Sequence, residues 1–420
     1  MIKDFLCANF SEIVSYGFYI IIALIALLIM ITIHEFGHFI VGKKLGFKIN
    51  EFAIGFGKAI FKKKTKDGII VSLRIIPFGG YCAFEGESEE SQVVGAFNTM
   101  APWKRLLVLF SGAFFNFLSA IIMSFVLLLS VGYADVVQVA SISDKAKDTN
   151  LVQLQENDVI YAVDGVETNF VYDNYFTSLV KNVKPGTDVT ITIKRDGELK
   201  DIQIELAREV DLTLSGDAYE FKVKDNVYKL FFQADTVTLL DTQNGEIELN
   251  EKFFDNQKYY SFTIDDNSYA LNFNEKILYD TNAGLVVKNY KYSFFEALGK
   301  CIPFTFEWGW KILTILFALF TGQIGIDALG GPVTTITSIA TYTQANWQNL
   351  IILFPIISIN LAVFNWLPIP ALDGARMVFV LIEWIRGKPV NRNVESIIHS
   401  VGLMLLFAFV IIIDILHFIL

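Results

Sequence analysis

Apolar residues gather in long unbroken runs towards both ends of the chain, whereas in the middle they alternate with polar ones. The first run, Phe18 to Val41, carries no charge before His34. At about 24 residues and 1.5 Å rise per residue it is long enough to cross a bilayer as a helix. A second run covers Leu106 to Val131, a third Leu350 to about Ile385 with an interruption, and a fourth Val401 to Leu420. Four spanning helices are therefore expected. Phe304 to Phe320 is also apolar but holds Glu307, Lys311 and two tryptophans, and reads as an interfacial helix, with a fifth span as the alternative. A cleaved signal peptide is not expected at the first run: no basic segment precedes a short apolar core, and no small-residue cleavage site follows.

Between the second and third runs the period shortens to two. VTITIKRDGELKDIQIEL, Val189 to Leu206, alternates on both sides of Asp196-Gly197, a two-residue hairpin turn, and LQENDVIYAVDGV adds a strand pair closed by Asp164-Gly165. From about Val136 to Ala207 this is similar to the PDZ pattern of strand pair, helix and return strand. Glu156-Asn157 stands where such domains carry Pro-Gly. A PDZ-like groove takes a peptide as an added strand; alternatively, the domain only screens bulky proteins from a membrane site. Segments such as YEFKVKD, KYYSFTIDD and SYALNFNEK predict a further all-β module. The expected organisation is a first membrane half over 1–132, a PDZ-like domain over 133–209, an all-β module over 210–291, an interfacial segment over 292–347 and a second membrane half over 348–420. The fold class is thus a polytopic α-helical membrane protein with β-rich extracytoplasmic parts.

Composition supports this class: 53% of residues are hydrophobic and the mean hydropathy is +0.46. The net charge of −10, with no basic stripe, argues against a nucleic-acid partner. Cys7, Cys82 and Cys301 are far apart and form no CxxC pair, so they read as small buried apolar residues. Lys43, Lys44, Lys62, Lys63, Lys64, Arg74, Lys104 and Arg105 fall between the first two spans, and Arg386, Lys388 and Arg392 follow the third. Both loops are expected in the cytoplasm. The stretch from Tyr133 to Lys300 carries 29 Asp and Glu against 17 Lys and Arg, as suits the far side. Both chain ends then face outward in a plasma-membrane protein.

The candidate chemistry lies where lipid makes polar groups expensive. HEFGH, residues 34–38, places His34 and His38 four apart on one helix face, able to share a metal, with Glu35 beside them as a carboxylate that need not ligate. The chain has only 4 histidines, so chance spacing is a poor explanation. Helix-packing histidines satisfied by local acceptors are the bland alternative. Two histidines leave a catalytic zinc one protein ligand short. His399 and His417, in or beside the fourth run, have no pattern of their own and do not read as ligands. Asp373, in INLAVFNWLPIPALDGARMVF, is the better candidate: Pro368 and Pro370 interrupt the helix there, and broken backbone at membrane depth requires a protein or water surround.

These stretches, with RIIPFGGYCAFEGE, FNTMAPWKRLLVLFSGAFFNF, LGGPVTTI and NWLPIPALDG in the same order, resemble the site-2 protease family of intramembrane zinc metalloproteases, in its bacterial branch with an extracytoplasmic PDZ domain. The resemblance implies a Zn2+ metalloendopeptidase with His34, His38 and Asp373 as ligands and Glu35 as general base. Asn360 and Asn365 would be polar residues that hold substrate or stabilise developing charge. Arg74 to Phe84, with Gly79 and Gly80, would be a membrane-associated β-loop offering an edge to extended substrate; from its pattern alone it reads equally as an ordinary re-entrant or surface hairpin. Substrates would be single-span membrane proteins or remnant signal peptides, and the active site would lie nearer the cytoplasmic side. Gly112-Ala113 before Asn116, and Ala375 after Asp373-Gly374, depart from the family pattern. A noncatalytic membrane scaffold is the rival reading, against which an intact Glu35 argues. A transporter is disfavoured because no internal repeat accompanies the broken span.

Overall fold

The computed structural model describes residues 10–419 except 88, 143–149, 169–174, 182, 225, 234–235, 243–244, 255–256, 266, 282–283 and 326–329. Two compact units result: a helical unit of Met1–Val131 with Tyr292–Leu420, and a β unit of Gly132–Lys291.

The chain opens with α1, Phe10–Leu45. It ends where Lys43 and Lys44 meet the negative end of the helix dipole and Gly46 turns left-handed at φ 84°, a conformation open to glycine at little cost. β1, Ile49–Lys64, and β2, Ile70–Phe84, form a long bent hairpin in which Ala53 lies opposite both Tyr81 and Ser72. α2, Pro102–Ser130, begins with proline in its first turn, where no amide hydrogen is needed. α2 is the buried centre of the helical unit. Gly37 of α1 lies so close to it that a Cβ there would sit 2.4 Å from the Ser111 carbonyl oxygen.

The β unit contains three antiparallel sheets. The first has order β18-β3-β4-β6-β7, with β5 beside β4. Its strands are β3 (Tyr133–Ile142), β4 (Val159–Val163), β5 (Val166–Glu167), β6 (Asp188–Arg195), β7 (Glu198–Glu205) and β18 (Leu285–Tyr290), and a short helix α3, Phe176–Lys181, precedes β6. Val189, Ile191 and Ile193 point inward and are fully buried, as alternation predicts. Asp164-Gly165 and Asp196-Gly197 both have positive φ, the geometry a two-residue primed turn requires. Asn157 also takes a positive φ of 73°, a conformation that asparagine tolerates better than most residues. Asp158 beside it is 2% exposed and paired with Arg195 at 2.6 Å.

The other two sheets have five strands each, in orders β13-β12-β11-β10-β9 and β14-β15-β16-β17-β8. β8 is Arg208–Val210; the first of these sheets takes β9 (Thr213–Ser215), β10 (Ala218–Val223), β11 (Asn226–Phe232), β12 (Val237–Asp241) and β13 (Gly245–Ile247), and the second β14 (Asn250–Phe254), β15 (Gln257–Ile264), β16 (Asn267–Asn272) and β17 (Ile277–Asp280). Phe221, Leu230 and Leu239 of one sheet share a core with Phe262, Leu271 and Leu278 of the other, which makes a sandwich. β18 falls inside the range expected for the all-β module, yet it pairs with β3 in the first sheet.

The chain then forms α4 (Phe294–Phe320), α5 (Pro332–Ala345), α6 (Gln348–Trp366), α7 (Asp373–Arg386) and α8 (Arg392–Ile419). Residues 304–320, expected as a short interfacial helix, are the later part of the 27-residue α4. Five helices among the described residues, α1, α2, α4, α6 and α8, are long and apolar enough to cross a membrane. Together with the β unit they make this a multi-pass membrane protein with a β-rich domain. Hydroxyls join the helices: Ser119 to Ser358 at 2.8 Å and Thr305 to Ser124 at 3.1 Å. Asp414 of α8 accepts from the Val333 and Thr334 amides and the Thr334 hydroxyl at the start of α5, where backbone N–H groups lack helical partners. Cys82 and Cys301 are buried free thiols as expected, and Cys7 lies outside the described residues.

Candidate active site

The four-residue step on α1 puts His34 and His38 one above the other, 9% and 7% exposed. α6 stops at Trp366 and α7 starts at Asp373, so the Leu367 to Leu372 turn that carries Pro368 and Pro370 delivers the aspartate to these rings. Asp373 Oδ2 lies 3.0 Å from His34 Nε2 and 3.1 Å from His38 Nε2, and the two nitrogens are 3.2 Å apart. His38 Nδ1 lies 2.7 Å from the Val108 carbonyl oxygen, an acceptor only. Nδ1 must therefore carry a proton, which leaves the Nε2 lone pair of the neutral ring facing the aspartate. Three electron-pair donors thus converge on one point, and a shared cation satisfies all of them. Among the described residues these three form the group of His, Cys, Asp and Glu side chains placed to hold a metal ion. Two imidazoles and one carboxylate suit zinc with an open fourth position.

The ring faces press on α2 at Gly112, where an added Cβ would lie 2.3 Å from His38 Nε2. The departure from the family pattern at Ala113 leaves this glycine in place. Glu35 lines the same cavity of about 270 Å³ without joining the three donors. Gly80 of β2 backs onto it, and a Cβ on Gly80 would meet Glu35 Cγ at 3.4 Å. Gly79 has φ 97° and faces the Phe56 ring instead. Asn365 lines the cavity and donates one amide hydrogen to the Leu361 carbonyl at 2.8 Å. Asn360 is exposed and not among the lining residues. Five residues rotate a helix by about 500°, so the two asparagines stand some 140° apart and cannot both face one cavity.

Several lining residues escaped the sequence reading. Arg376, one turn beyond Asp373, donates to Glu87 at 2.6 Å, and both reach the cavity together with Tyr81. The signal was available in LDGAR, a charge one helical turn after the candidate ligand. Outside the lining, Asn116, one turn beyond Gly112 and 1% exposed, has both side-chain amide atoms without a hydrogen-bond partner. Burial pushes the Cys82 thiol far above its ordinary range and Glu35 reinforces this, which favours the neutral thiol.

The sequence profile of peptidase family M50 matches residues 22–409. The chain is similar to the Regulator of sigma E protease of Haemophilus influenzae, 26% identical over 91% of this chain and 94% of that one. It is likewise similar to the zinc metalloprotease RasP of Oceanobacillus iheyensis, 26% identical over 92% and 95%. A third relative, the Regulator of sigma-E protease RseP of Escherichia coli, is 24% identical over 91% and 94%.

Proposed function

Because the chain belongs to peptidase family M50, we propose that it is an intramembrane zinc metalloendopeptidase that cuts single-span segments, either of membrane proteins such as anti-sigma factors or of remnant signal peptides. The observation that carries this reading is the meeting of His34, His38 and Asp373 on one point with Glu35 in the same cavity. Zinc held by the three side chains would supply Lewis acidity, acidifying a water and polarising the scissile carbonyl. Glu35 takes the proton of the attacking water and returns it to the leaving amine. Asn365 spends one N–H on Leu361 and keeps its second N–H and its carbonyl oxygen for substrate backbone or the developing oxyanion. A helical substrate hides its carbonyls and must unwind. The bent hairpin supports this, since Gly80 of β2 lies beside Glu35 and its strand presents backbone to which an extended strand can add.

Four crossings, by α1, α2, α6 and α8, fit the basic loops and put both chain ends outside, with the site towards the cytoplasm. The contacts support an outer start for α4 and an outer position for α5, while the later part of α4 runs along the other helices: Ile312 shares a core with Ala120 of α2 and with Ile359 and Val363 of α6. The Tyr292 amide, just before α4, donates to the Leu128 carbonyl near the outer end of α2, and α5 packs on Ala23 in the first half of α1. If α4 crossed, the link 321–331, non-helical where described, would have to return through hydrocarbon, where irregular backbone is unstable without a protein cover. The first β sheet reads as a PDZ-like domain that either binds a peptide ligand or screens substrates by bulk.

The test compares cleavage of a labelled single-span substrate by the wild type and by Glu35→Gln in the same vesicles. A loss of about 10²- to 10⁴-fold is expected. Equal cleavage would remove Glu35 from the mechanism.

A further inference from the structure

The turn that delivers Asp373 is held in an unfavourable conformation by a residue with no place in the mechanism above. Ala371, two positions before Asp373, has φ 82°. The other described non-glycine residues with positive φ are Asn157, Asp164, Asp196, Lys224, Asp265 and Lys276, all in the β unit. Alanine has a Cβ to clash in this region and no polar side chain to compensate, so its neighbours must impose the conformation.

Those neighbours are on α8. The Ala371 amide donates to His399 Nδ1 at 3.1 Å. Three residues further along α8, Gly402 receives Pro370 so closely that a Cβ there would lie 2.1 Å from Pro370 Cβ. His399 and Gly402 share one helix face, so a single stripe of α8 grips two successive residues of the turn. The Phe379 ring of α7, its centroid 5.6 Å from that of the imidazole, closes the other side. Local hydrogen bonds from the Ile369 amide to Leu367 and from the Leu372 amide to Ile369 shape the rest of the turn but leave the Ala371 amide to His399.

We propose that His399 is a positioning residue of the metal centre. By accepting the Ala371 amide at Nδ1 it holds the turn left-handed, and the carboxylate of Asp373 is thereby presented to His34 and His38. The inference rests on the reading of Asp373 as the third ligand, and the experiment separates the two. Full-length protein in detergent is loaded with zinc, and transfer of zinc to a chromogenic chelator is timed for the wild type, Asp373→Asn, His399→Ala, His399→Asn and Ala371→Gly combined with His399→Ala.

His399→Ala is expected to release zinc about 10- to 100-fold faster, the usual cost of losing a group that orients a ligand. His399→Asn, whose Oδ1 can stand where Nδ1 does, should stay within a few-fold of wild type. Ala371→Gly should recover most of the loss in the double variant, because glycine adopts positive φ readily; a merely structural role for His399 gives no such rescue. Wild-type release by His399→Ala beside fast release by Asp373→Asn overturns the proposal and leaves the ligand reading intact. Wild-type release by Asp373→Asn overturns the ligand reading, and this proposal with it. Should His399→Ala fail to fold, fast release by His399→Asn overturns the proposal by itself.

Discussion

In the β unit the buried polar side chains among the described residues are Asp158, Asp241 and Asn272, while the helical unit buries His34, His38, Ser72, Arg105, Ser111, Asn116, Ser124, Thr305, Thr343, Ser358 and Asp414. The exposed side chains are reversed. Phe18, Ile21, Ile25, Phe407, Ile411 and many others stand on the outside of the helical unit, whereas large exposed apolar residues of the β unit are scattered, as at Leu214 and Phe253. One chain thus follows two solvents. Around the β unit water takes the polar side chains and burial is left to alternating aliphatic and aromatic residues. Around the helices lipid takes the apolar ones, and hydroxyls, imidazoles and carboxylates must find one another inside. Polarity buried in the helical unit is therefore where chemistry can be sought, and polarity buried in the β unit chiefly secures the fold.

This contrast breaks first at the proposed metal centre. His38→Ala should abolish stoichiometric bound metal and substrate cleavage, with the helical content of purified protein unchanged; elemental analysis beside circular dichroism checks both. Gly112→Ala, which pushes a methyl into the His38 ring, should weaken metal binding about 10- to 100-fold by displacing a ligand rather than removing one. Chelator competition measures it, and wild-type affinity would mean that α1 and α2 can move apart.

In the β unit the prediction concerns stability. Leu230→Ala at the fully buried centre of the sandwich should cost about 2–5 kcal/mol locally, read as faster hydrogen exchange in β10 to β12 while metal content stays constant. The smallest effect is expected at Glu205, directly opposite Asp188 across β6 and β7. Burial, then the charges of Asp188 and Glu209, raise its carboxyl above the usual carboxylate range. A raised folded value means that the protonated form is favoured on folding, so stability is gained as pH falls through that value and forfeited above it. Glu205→Gln should stabilise these strands by roughly 0.2–1 kcal/mol at neutral pH and flatten the pH dependence, as hydrogen exchange in the full chain would register.

Local chemistry carried the legible part. The apolar runs that became α1, α2, α6 and α8, the Asp-Gly turns and the four-residue histidine spacing each depend on neighbours a few residues away. Helix propensity, turn geometry and side-chain periodicity act at that range. The same reasoning stopped short where a partner is remote. β18 pairs with β3 across the whole β unit, and no pattern within Leu285–Tyr290 announces that edge. The full length of α4 was obscured because Glu307 and Lys311 lowered the local apolar signal while the helix itself continued. His399 looked like an isolated histidine near a membrane surface, yet a turn 28 residues upstream in sequence uses it as an acceptor.

From its residue order alone the chain determined that it enters a bilayer, that its middle is built of strands, and that two imidazoles with an adjacent carboxylate share one helix face. Helical and strand periodicities are properties of the backbone and need no partner. Tertiary structure decided which aspartate meets those imidazoles, which of two asparagines reaches the cavity, that Arg376 pairs with Glu87, and that α8 grips the turn before Asp373. Each of these is an encounter between segments far apart in sequence, selected by how helices pack when a buried polar group is costly unless it finds a partner.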